Sequence, residues 1–177
     1  MVLRLALLVC DTLMPAVVEA HGNHPEVYDT WLKASNVAGV PYQLMPFDVV
    51  NHPEVYPNPE EIDAVILTGS GLRFHPLINY RDKSDLLLSS AASAYSPLPW
   101  IQTLTKYIGD LASSHPRIKI IGICFGHQIV AQALGGQVVP NNGIWEIGVS
   151  QVRLTKAGID VFGEDDGDFI VSKQTVR

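Results

Sequence analysis

Cysteine and basic residues are scarce in this chain. It has two cysteines, Cys10 and Cys124, and no Asn-x-Ser/Thr acceptor sequence. Two cysteines are too few for a disulfide-held scaffold, so neither observation indicates secretion, and we expect a cytoplasmic protein. The 12 basic residues are outnumbered by 18 acidic ones and form no stripe that could neutralise phosphates. We therefore expect no nucleic-acid partner.

Long apolar runs are also lacking. No segment approaches the roughly 20 apolar residues that a membrane span requires, so no membrane partner is expected. Arg4 and the apolar run that follows it imitate a signal peptide. That run ends at Cys10 and is followed by Asp11, which makes it shorter than the roughly 7 to 15 residues of a true signal core. We interpret it as a buried first strand.

The composition and the periodicity indicate one globular domain over 1–177. Hydrophobic residues make up 47% and charged residues 17% of the chain, as in packed soluble domains. Apolar runs predict strands, and apolar stripes with a period near 3.6 predict helices. The pattern predicts strands at 2–10, 42–49, 62–68, 118–123, 137–139, 147–154 and 168–172, and helices at 25–39, 99–113 and 125–134. Alternation of this kind predicts an α/β fold, a doubly wound and mostly parallel sheet with flanking helices.

The segment 71–96 has no convincing periodicity. It is longer than most structureless loops inside compact domains, so we interpret it as an irregular insertion. A substrate lid, a partner contact, a variable loop and an unspliced intron all agree with this pattern.

Cys124 lies between Gly122 and Gly126, where a predicted strand ends and a predicted helix begins. Glycines on both sides permit a strained turn that exposes a nucleophile above the sheet. The partial positive charge at the start of a helix favours the thiolate, the form of cysteine that attacks a carboxamide. The N–H of Phe125 and the loop after the third strand, at Gly69 and Ser70, are candidate oxyanion donors. The alternative for Cys124 is a buried core cysteine.

Four segments, in the same order along the chain, resemble the class I glutamine amidotransferase-like family, especially its stand-alone fungal and plant members and the amidotransferase domain of GMP synthase. They are Val-Ile-Leu-Thr-Gly-Ser (65–70), Pro-Trp-Ile (99–101), Gly-Ile-Cys-Phe-Gly-His-Gln (122–128) and Gly-Ile-Trp-Glu-Ile-Gly (143–148). The resemblance implies a flavodoxin-like fold with Cys124 as the nucleophile. It also implies that Gly69 and Phe125 are oxyanion donors and that Gln128 contacts a glutamine-like substrate. His127 would have a packing or polarising role. Trp145 and Glu146 would either border the pocket or serve only packing and solvation.

The same resemblance implies a catalytic His and Glu near the carboxyl end, which we do not find. No histidine follows His127, so we expect a C-terminally short domain. The two His-Pro-Glu triplets that begin at His24 and His52 precede the nucleophile, at a helix start and in a loop, and we reject both as the missing pair. The pair His21 and His24 lacks the further ligands of a metal site. We expect no metal and no cofactor.

Three functions agree with this pattern. The first is a hydrolase or amidotransferase-like enzyme that attacks the γ-glutamyl amide of glutamine, or γ-glutamyl peptides, through a thioester at Cys124. The second is a truncated or degenerate domain with a binding role. The third is a repurposed cysteine acyl-transfer enzyme of secondary metabolism. The expected partners are a small γ-glutamyl or acyl substrate and a protein that accepts ammonia or completes the site.

Overall fold

A computed structural model describes residues 1–36, 38–70, 93–140, 146–163 and 168–175, with the backbone alone for 146–153, 161–162 and 168–175. The chain divides into two compact units, Met1–Val138 and Val139–Arg177. Each unit is described separately, and the interpretation of residues 1–177 as a single domain stays a prediction. Most of the predicted insertion, 71–92, lies outside the described residues. Its end, 93–96, forms a turn closed by a 2.8 Å hydrogen bond from the Ser96 N–H to the Ser93 carbonyl.

The first unit is built on a parallel sheet of four strands in the order β2-β1-β3-β4. Leu5 pairs with Ala64, and Ala64 pairs with Lys119, which sets the register across the centre of the sheet. The central strands are buried on both faces, as Leu7 and Leu8 show with 0% exposure each, and this explains why they are continuous apolar runs. The strands are β1 Leu3–Val9, β2 Tyr42–Asp48, β3 Ala64–Leu67 and β4 Lys119–Gly122.

The helices of the first unit differ in how well the sequence predicts them. The predicted helix at 25–39 begins with a capping box between Asn23 and Glu26, but it ends at Ser35 rather than Gly39. The Asn36 side chain there both accepts from the Val40 N–H and donates to the Val40 carbonyl, so it closes a turn instead of another helical turn. The first helix was not predicted, because none of its residues is buried and no apolar stripe marks it. The helices are α1 Pro15–His21, α2 His24–Ser35, α3 Pro99–Ser114 and α4 Phe125–Ala133, with a short 3-10 helix at Pro59–Glu61.

The main core lies where α3 and α4 pack against the sheet. The predicted stripe of α3 is confirmed, since Ile101, Leu104, Ile108 and Leu111 are all buried. They belong to one cluster with the sheet and with two residues of α4, Phe125 and Ile129. Burial of this apolar stripe stabilises α3 and seats α4 on the sheet.

The second unit is a two-stranded antiparallel sheet with one helix between its strands. β5 is Glu146–Arg153, α5 is Lys156–Phe162 and β6 is Asp168–Thr175. The strands predicted at 147–154 and 168–172 are therefore confirmed. The strand predicted at 137–139 is wrong, because these residues adopt no regular structure. A 2.8 Å hydrogen bond from the Gly136 N–H to the Ala131 carbonyl ends α4 in a turn just before them.

None of the helices that the structure describes combines the length and apolarity needed to cross a bilayer.

Arg4 and Asp63 join β1 to the start of β3. The Asp63 carboxylate accepts hydrogen bonds from the Arg4 side chain, at 2.9 and 3.1 Å, and from the Arg4 backbone N–H at 2.9 Å. These bonds lower the pKa of Asp63 to about 2 from its usual 3.8. The carboxylate therefore stabilises the fold above pH 4, and this contribution is lost as the pH falls towards 2.

We expect Asp63→Asn to lower the free energy of unfolding at neutral pH, with a gap to wild type that narrows as the pH falls from about 4 to about 2. Urea unfolding followed by circular dichroism at several pH values measures the gap. Asp110→Asn is the matched control, because among the described residues the Asp110 carboxylate pairs with the exposed Lys106 alone, one helical turn away. This substitution should leave stability nearly unchanged. A gap for Asp63→Asn that is the same at all pH values would contradict the prediction.

Candidate active site

The candidate site lies at the carboxyl ends of three parallel strands. Residues that follow β1, β3 and β4 meet at one edge of the sheet, where open α/β folds bind their ligands. Cys10 follows β1, Gly69 follows β3 by two residues, and Cys124 follows β4 by two residues.

Cys124 occupies a strained turn between β4 and α4. Its φ is 53°, and it is the one non-glycine residue with positive φ in the described part of the chain. α4 begins at the next residue, Phe125. A non-glycine residue in this conformation costs of order 1–3 kcal/mol and persists where the surrounding structure enforces it, as at nucleophile elbows. The turn that the glycine spacing predicts is present.

Two close backbone contacts explain why the residues beside Cys124 are glycines. A Cβ atom at Gly126 would lie 2.6 Å from both the Cβ and the carbonyl oxygen of Leu67 on β3. A Cβ atom at Gly122 would lie 2.6 Å from the backbone of Gly126 and from the Cα of His127. No side chain fits at either position, so both glycines are needed for the first turn of α4 to approach the sheet this closely.

The two thiols have opposite environments. Cys124 is exposed and Cys10 is buried. The alternative interpretation, a buried core cysteine, therefore applies to Cys10 and not to Cys124. Burial raises the pKa of the Cys10 thiol to about 12, and its Sγ donates to the Leu8 carbonyl at 3.4 Å. Cys10 is unreactive at neutral pH for these two reasons.

The loop after β3 lies directly beside Cys124. A Cβ atom at Gly69 would be 3.5 Å from the Cβ of Cys124. Thr68 ties this loop to the core, since its hydroxyl accepts from the Cys10 N–H at 2.9 Å and donates to the Gly69 carbonyl at 2.8 Å. Ser70 follows and is half-buried. The predicted oxyanion loop and the predicted nucleophile are therefore neighbours.

Phe125 is buried, and its amide begins α4. The ring packs against that of Trp100 with centroids 5.5 Å apart, which anchors the elbow on α3. The next three amides, those of residues 126–128, donate to the carbonyls of Ile123 and Cys124. Among the described residues no hydrogen bond uses the Phe125 N–H. This N–H is therefore available to an oxyanion, as first-turn amides generally are.

The structure gives fewer contacts for the other predicted site residues, which are His127, Gln128, Trp145 and Glu146. The His127 ring is exposed, and its Nδ1 lies 2.6 Å from the Cys124 carbonyl oxygen. Because a carbonyl only accepts, this Nδ1 carries the proton. Gln128 is half-buried on the same helical turn. Trp145 lies outside the described residues, and Glu146 is the first residue of β5 in the second unit.

The sequence did not single out two residues of α2, Tyr28 and His24, for the site. Burial raises the pKa of the Tyr28 hydroxyl, and the Gly69 backbone partly offsets that rise. His24 lies beside Tyr28 with ring centroids 6.3 Å apart, and its buried Nε2 has no hydrogen-bond partner among the described residues. Burial lowers the pKa of His24, and the nearby Asp11 carboxylate opposes that change. The i, i+4 spacing of His24 and Tyr28 is the one sequence signal that they share a helix face.

The rejection of both His-Pro-Glu triplets stays a prediction. Glu26 is engaged in the helix cap, where it accepts from the Asn23 N–H at 2.7 Å. His52 is an exposed loop residue whose Nδ1 lies 3.7 Å from the Glu54 Oε1. Within the described ranges no three His, Cys, Asp or Glu side chains come together as metal ligands.

The solved structures with this arrangement define the class of fold. A crystal structure of a glutamine amido transferase from Methylobacillus flagellatus superimposes with a TM-score of 0.59 over 98% of this chain and 55% of that chain, at 18% sequence identity. The predicted α/β fold, a parallel sheet with flanking helices, is confirmed.

Sequence comparison then gives the family. Residues 96–174 match the model of the family described as glutamine amidotransferase class-I. A glutamine amidotransferase-like protein of Schizosaccharomyces pombe is 32% identical over 166 residues, which is 90% of this chain and 59% of that protein. Gamma-glutamyl peptidase 4 of Arabidopsis thaliana is 30% identical over 83 residues, 45% of this chain and 32% of that protein. Residues 96–174 therefore match the class I glutamine amidotransferase family, in agreement with the resemblance. The chain spans less than two thirds of the length of these relatives.

We expect Gly126→Ala to lower the free energy of unfolding by roughly 1–3 kcal/mol, because the added methyl group overlaps Leu67 and forces α4 away from the sheet. Gly69→Ala is the matched control, since its methyl group would make only ordinary contacts, 3.5 Å or longer. Its stability should change by less than about 0.5 kcal/mol. Urea unfolding measures both, and equal stabilities for the two variants would contradict the close contact.

We expect iodoacetamide at neutral pH to modify one of the two thiols, Cys124. Intact mass should show a single adduct in the folded wild type and in Cys10→Ser, and no adduct in Cys124→Ser. Two adducts on the folded protein would show that Cys10 is accessible and would contradict its burial.

Proposed function

We propose that this protein is a cysteine-nucleophile hydrolase or amidotransferase-like enzyme that acts on the γ-glutamyl amide of glutamine or of γ-glutamyl peptides. The observation that carries the proposal is the exposed Cys124 on a positive-φ turn beside the Gly69 loop. The family of residues 96–174 and the similarity to a γ-glutamyl peptidase support the choice of substrate class.

Acylation would use groups that this chain holds. The Cys124 thiolate attacks the side-chain carbonyl carbon, a C–S bond forms, and the carbonyl oxygen becomes an oxyanion. The Phe125 N–H and the Gly69–Ser70 loop stabilise that charge. When the intermediate collapses, the C–N bond breaks and the nitrogen leaves with a proton as ammonia or an amine. Water then hydrolyses the γ-glutamyl thioester to glutamate and the free thiol.

Proton transfer is the step of this reaction for which we find the fewest suitable groups among the described residues. Among the described residues no hydrogen bond joins a histidine to the Cys124 Sγ. His127 holds its Nδ1 proton at the Cys124 carbonyl, which leaves Nε2 unprotonated in the neutral ring. A positioned base contributes about 10² to 10⁴ in rate, so acylation without one is slow rather than absent. A complementing protein that supplies a base, or one that accepts ammonia, is the partner we propose.

The lack of a hydrogen bond from a described histidine to Sγ also favours a second candidate function. In this alternative the domain binds a γ-glutamyl metabolite or a partner protein without turnover. The elbow and the loop would then serve as a binding site for a carboxamide.

We expect a γ-glutamyl chloromethyl ketone to label Cys124, because the reagent needs the exposed thiol and a site for the glutamyl group but no complete turnover. Intact mass and peptide mapping should locate the adduct at Cys124. Cys10→Ser should be labelled as wild type, and Cys124→Ala should not be labelled. Excess free glutamine should slow the labelling. A folded wild-type protein without an adduct would refute the catalytic proposal.

Ammonia release from glutamine separates the two candidates. Release by the wild type that is lost in Cys124→Ala supports the enzyme. Absence of release from both proteins, together with glutamine binding measured by calorimetry, supports the binding domain.

A further inference from the structure

The His127 side chain reaches back from the first turn of α4 to the backbone of Cys124. Its Nδ1 lies 2.6 Å from the Cys124 carbonyl oxygen. On the basis of the proposed function, we propose that His127 is a positioning residue. By holding the Cys124 carbonyl, it orients the Phe125 N–H that receives the oxyanion.

The Cys124 carbonyl and the Phe125 N–H belong to one peptide unit. A trans peptide bond is planar, and its carbonyl and its N–H point in opposite directions within the plane. A donor that fixes the direction of the carbonyl therefore also fixes the direction of the N–H. Among the described residues no hydrogen bond uses the Phe125 N–H, so these residues hold the unit by its carbonyl.

Three donors of α4 meet at the Cys124 carbonyl oxygen. The backbone N–H groups of His127 and Gln128 donate to it at 3.1 and 3.3 Å. The His127 ring lies nearer, at 2.6 Å, and its Nδ1 carries the proton because a carbonyl only accepts. The side-chain hydrogen bond is therefore the shortest of the three and adds a restraint that the helix backbone does not supply.

The conformation of Cys124 explains why this peptide plane needs a further restraint. The residue has a φ of 53° and a ψ of −109°, outside the regions that non-glycine residues favour. Such a conformation persists where the surrounding contacts over-determine the backbone. Rotation about ψ of Cys124 turns its carbonyl and the Phe125 N–H together, and the hydrogen bond from the His127 ring opposes that rotation.

Other roles for His127 agree less well with its contacts. The ring is exposed, so it does not fill the core, and among the described residues no hydrogen bond joins it to the Cys124 Sγ. Its Nδ1 proton is committed to a backbone carbonyl. Because hydrogen bonds in a chain polarise one another, donation to this carbonyl also makes the N–H of the same amide a stronger donor.

Two substitutions of His127 test this role through two reactions of the same thiol. His127→Leu removes the donor, whereas His127→Asn places an amide nitrogen near the position of Nδ1 and keeps a donor there. Acylation by γ-glutamyl p-nitroanilide forms a C–S bond, creates an oxyanion and then breaks the C–N bond to release p-nitroaniline. Alkylation by iodoacetamide creates no oxyanion.

We expect the limiting rate of single-turnover acylation to fall by about 10-fold to 100-fold in His127→Leu and to recover to within about threefold of wild type in His127→Asn. The half-saturating concentration should stay within about twofold, because the lost contact acts in the transition state. The rate of alkylation should not change in either variant.

His115→Leu is the matched control, because it makes the same chemical change at the opposite edge of the sheet. His115 precedes β4, and its Nδ1 lies 3.7 Å from the exposed Glu60 carboxylate, so both rates should equal those of wild type. Circular dichroism and thermal unfolding check that each variant is folded. If His127→Leu does not fold, His127→Ala takes its place, since alanine also lacks the donor and has the highest helix propensity.

The outcomes separate the role of His127 from the proposed function. Acylation by the folded donor-less variant at the wild-type rate would overturn the positioning role and leave the enzyme proposal standing. An equal loss in acylation and alkylation would also overturn it, because the residue would then act on the thiol or the fold. So would a loss that His127→Asn does not recover. A wild type that iodoacetamide modifies but the anilide does not acylate would refute the proposed function itself, and the role of His127 with it.

Discussion

The close approach of α4 to β3 is the contact on which the rest of this structure depends. Gly126 lies against Leu67 at a distance that leaves no room for a side chain. This approach forces a sharp turn between β4 and α4, and the turn places Cys124 at a positive φ with its side chain exposed. The start of a helix therefore lies beside the thiol, with a Phe125 N–H that no described residue accepts from. A larger residue at position 126 would separate these groups.

The sheet gives the two thiols of the protein different chemical properties although both follow parallel strands. Cys10 continues directly from β1 into the core, where burial raises the pKa of its thiol. Cys124 follows the end of β4, and the strained turn at this residue directs the chain away from the sheet. Thr68 connects the two regions, since its hydroxyl bonds both the Cys10 N–H and the Gly69 carbonyl. The nucleophile and its loop are thus held by the same core that keeps the other thiol unreactive.

Much of the fold could be predicted, because its signals are local. Continuous apolar runs predicted the four parallel strands, and the stripe from Ile101 to Leu111 predicted α3. Gly122 and Gly126 predicted the turn at Cys124, since only glycine permits that approach. The errors occurred where such signals are absent. α1 buries none of its residues, the end of α2 is decided by the Asn36 side chain, and the residues at 137–139 alternate without becoming a strand.

The sequence by itself determined the class of fold, the family of residues 96–174 and the position of the candidate nucleophile, because each follows from residues close together in the chain. Only the tertiary structure decided what surrounds that nucleophile. Gly69 and Cys124 follow different strands, and the sequence between them does not show how closely they approach one another. That approach exists because β3 and β4 pair in parallel, which brings their carboxyl ends together, and strand pairing of this kind depends on the whole unit.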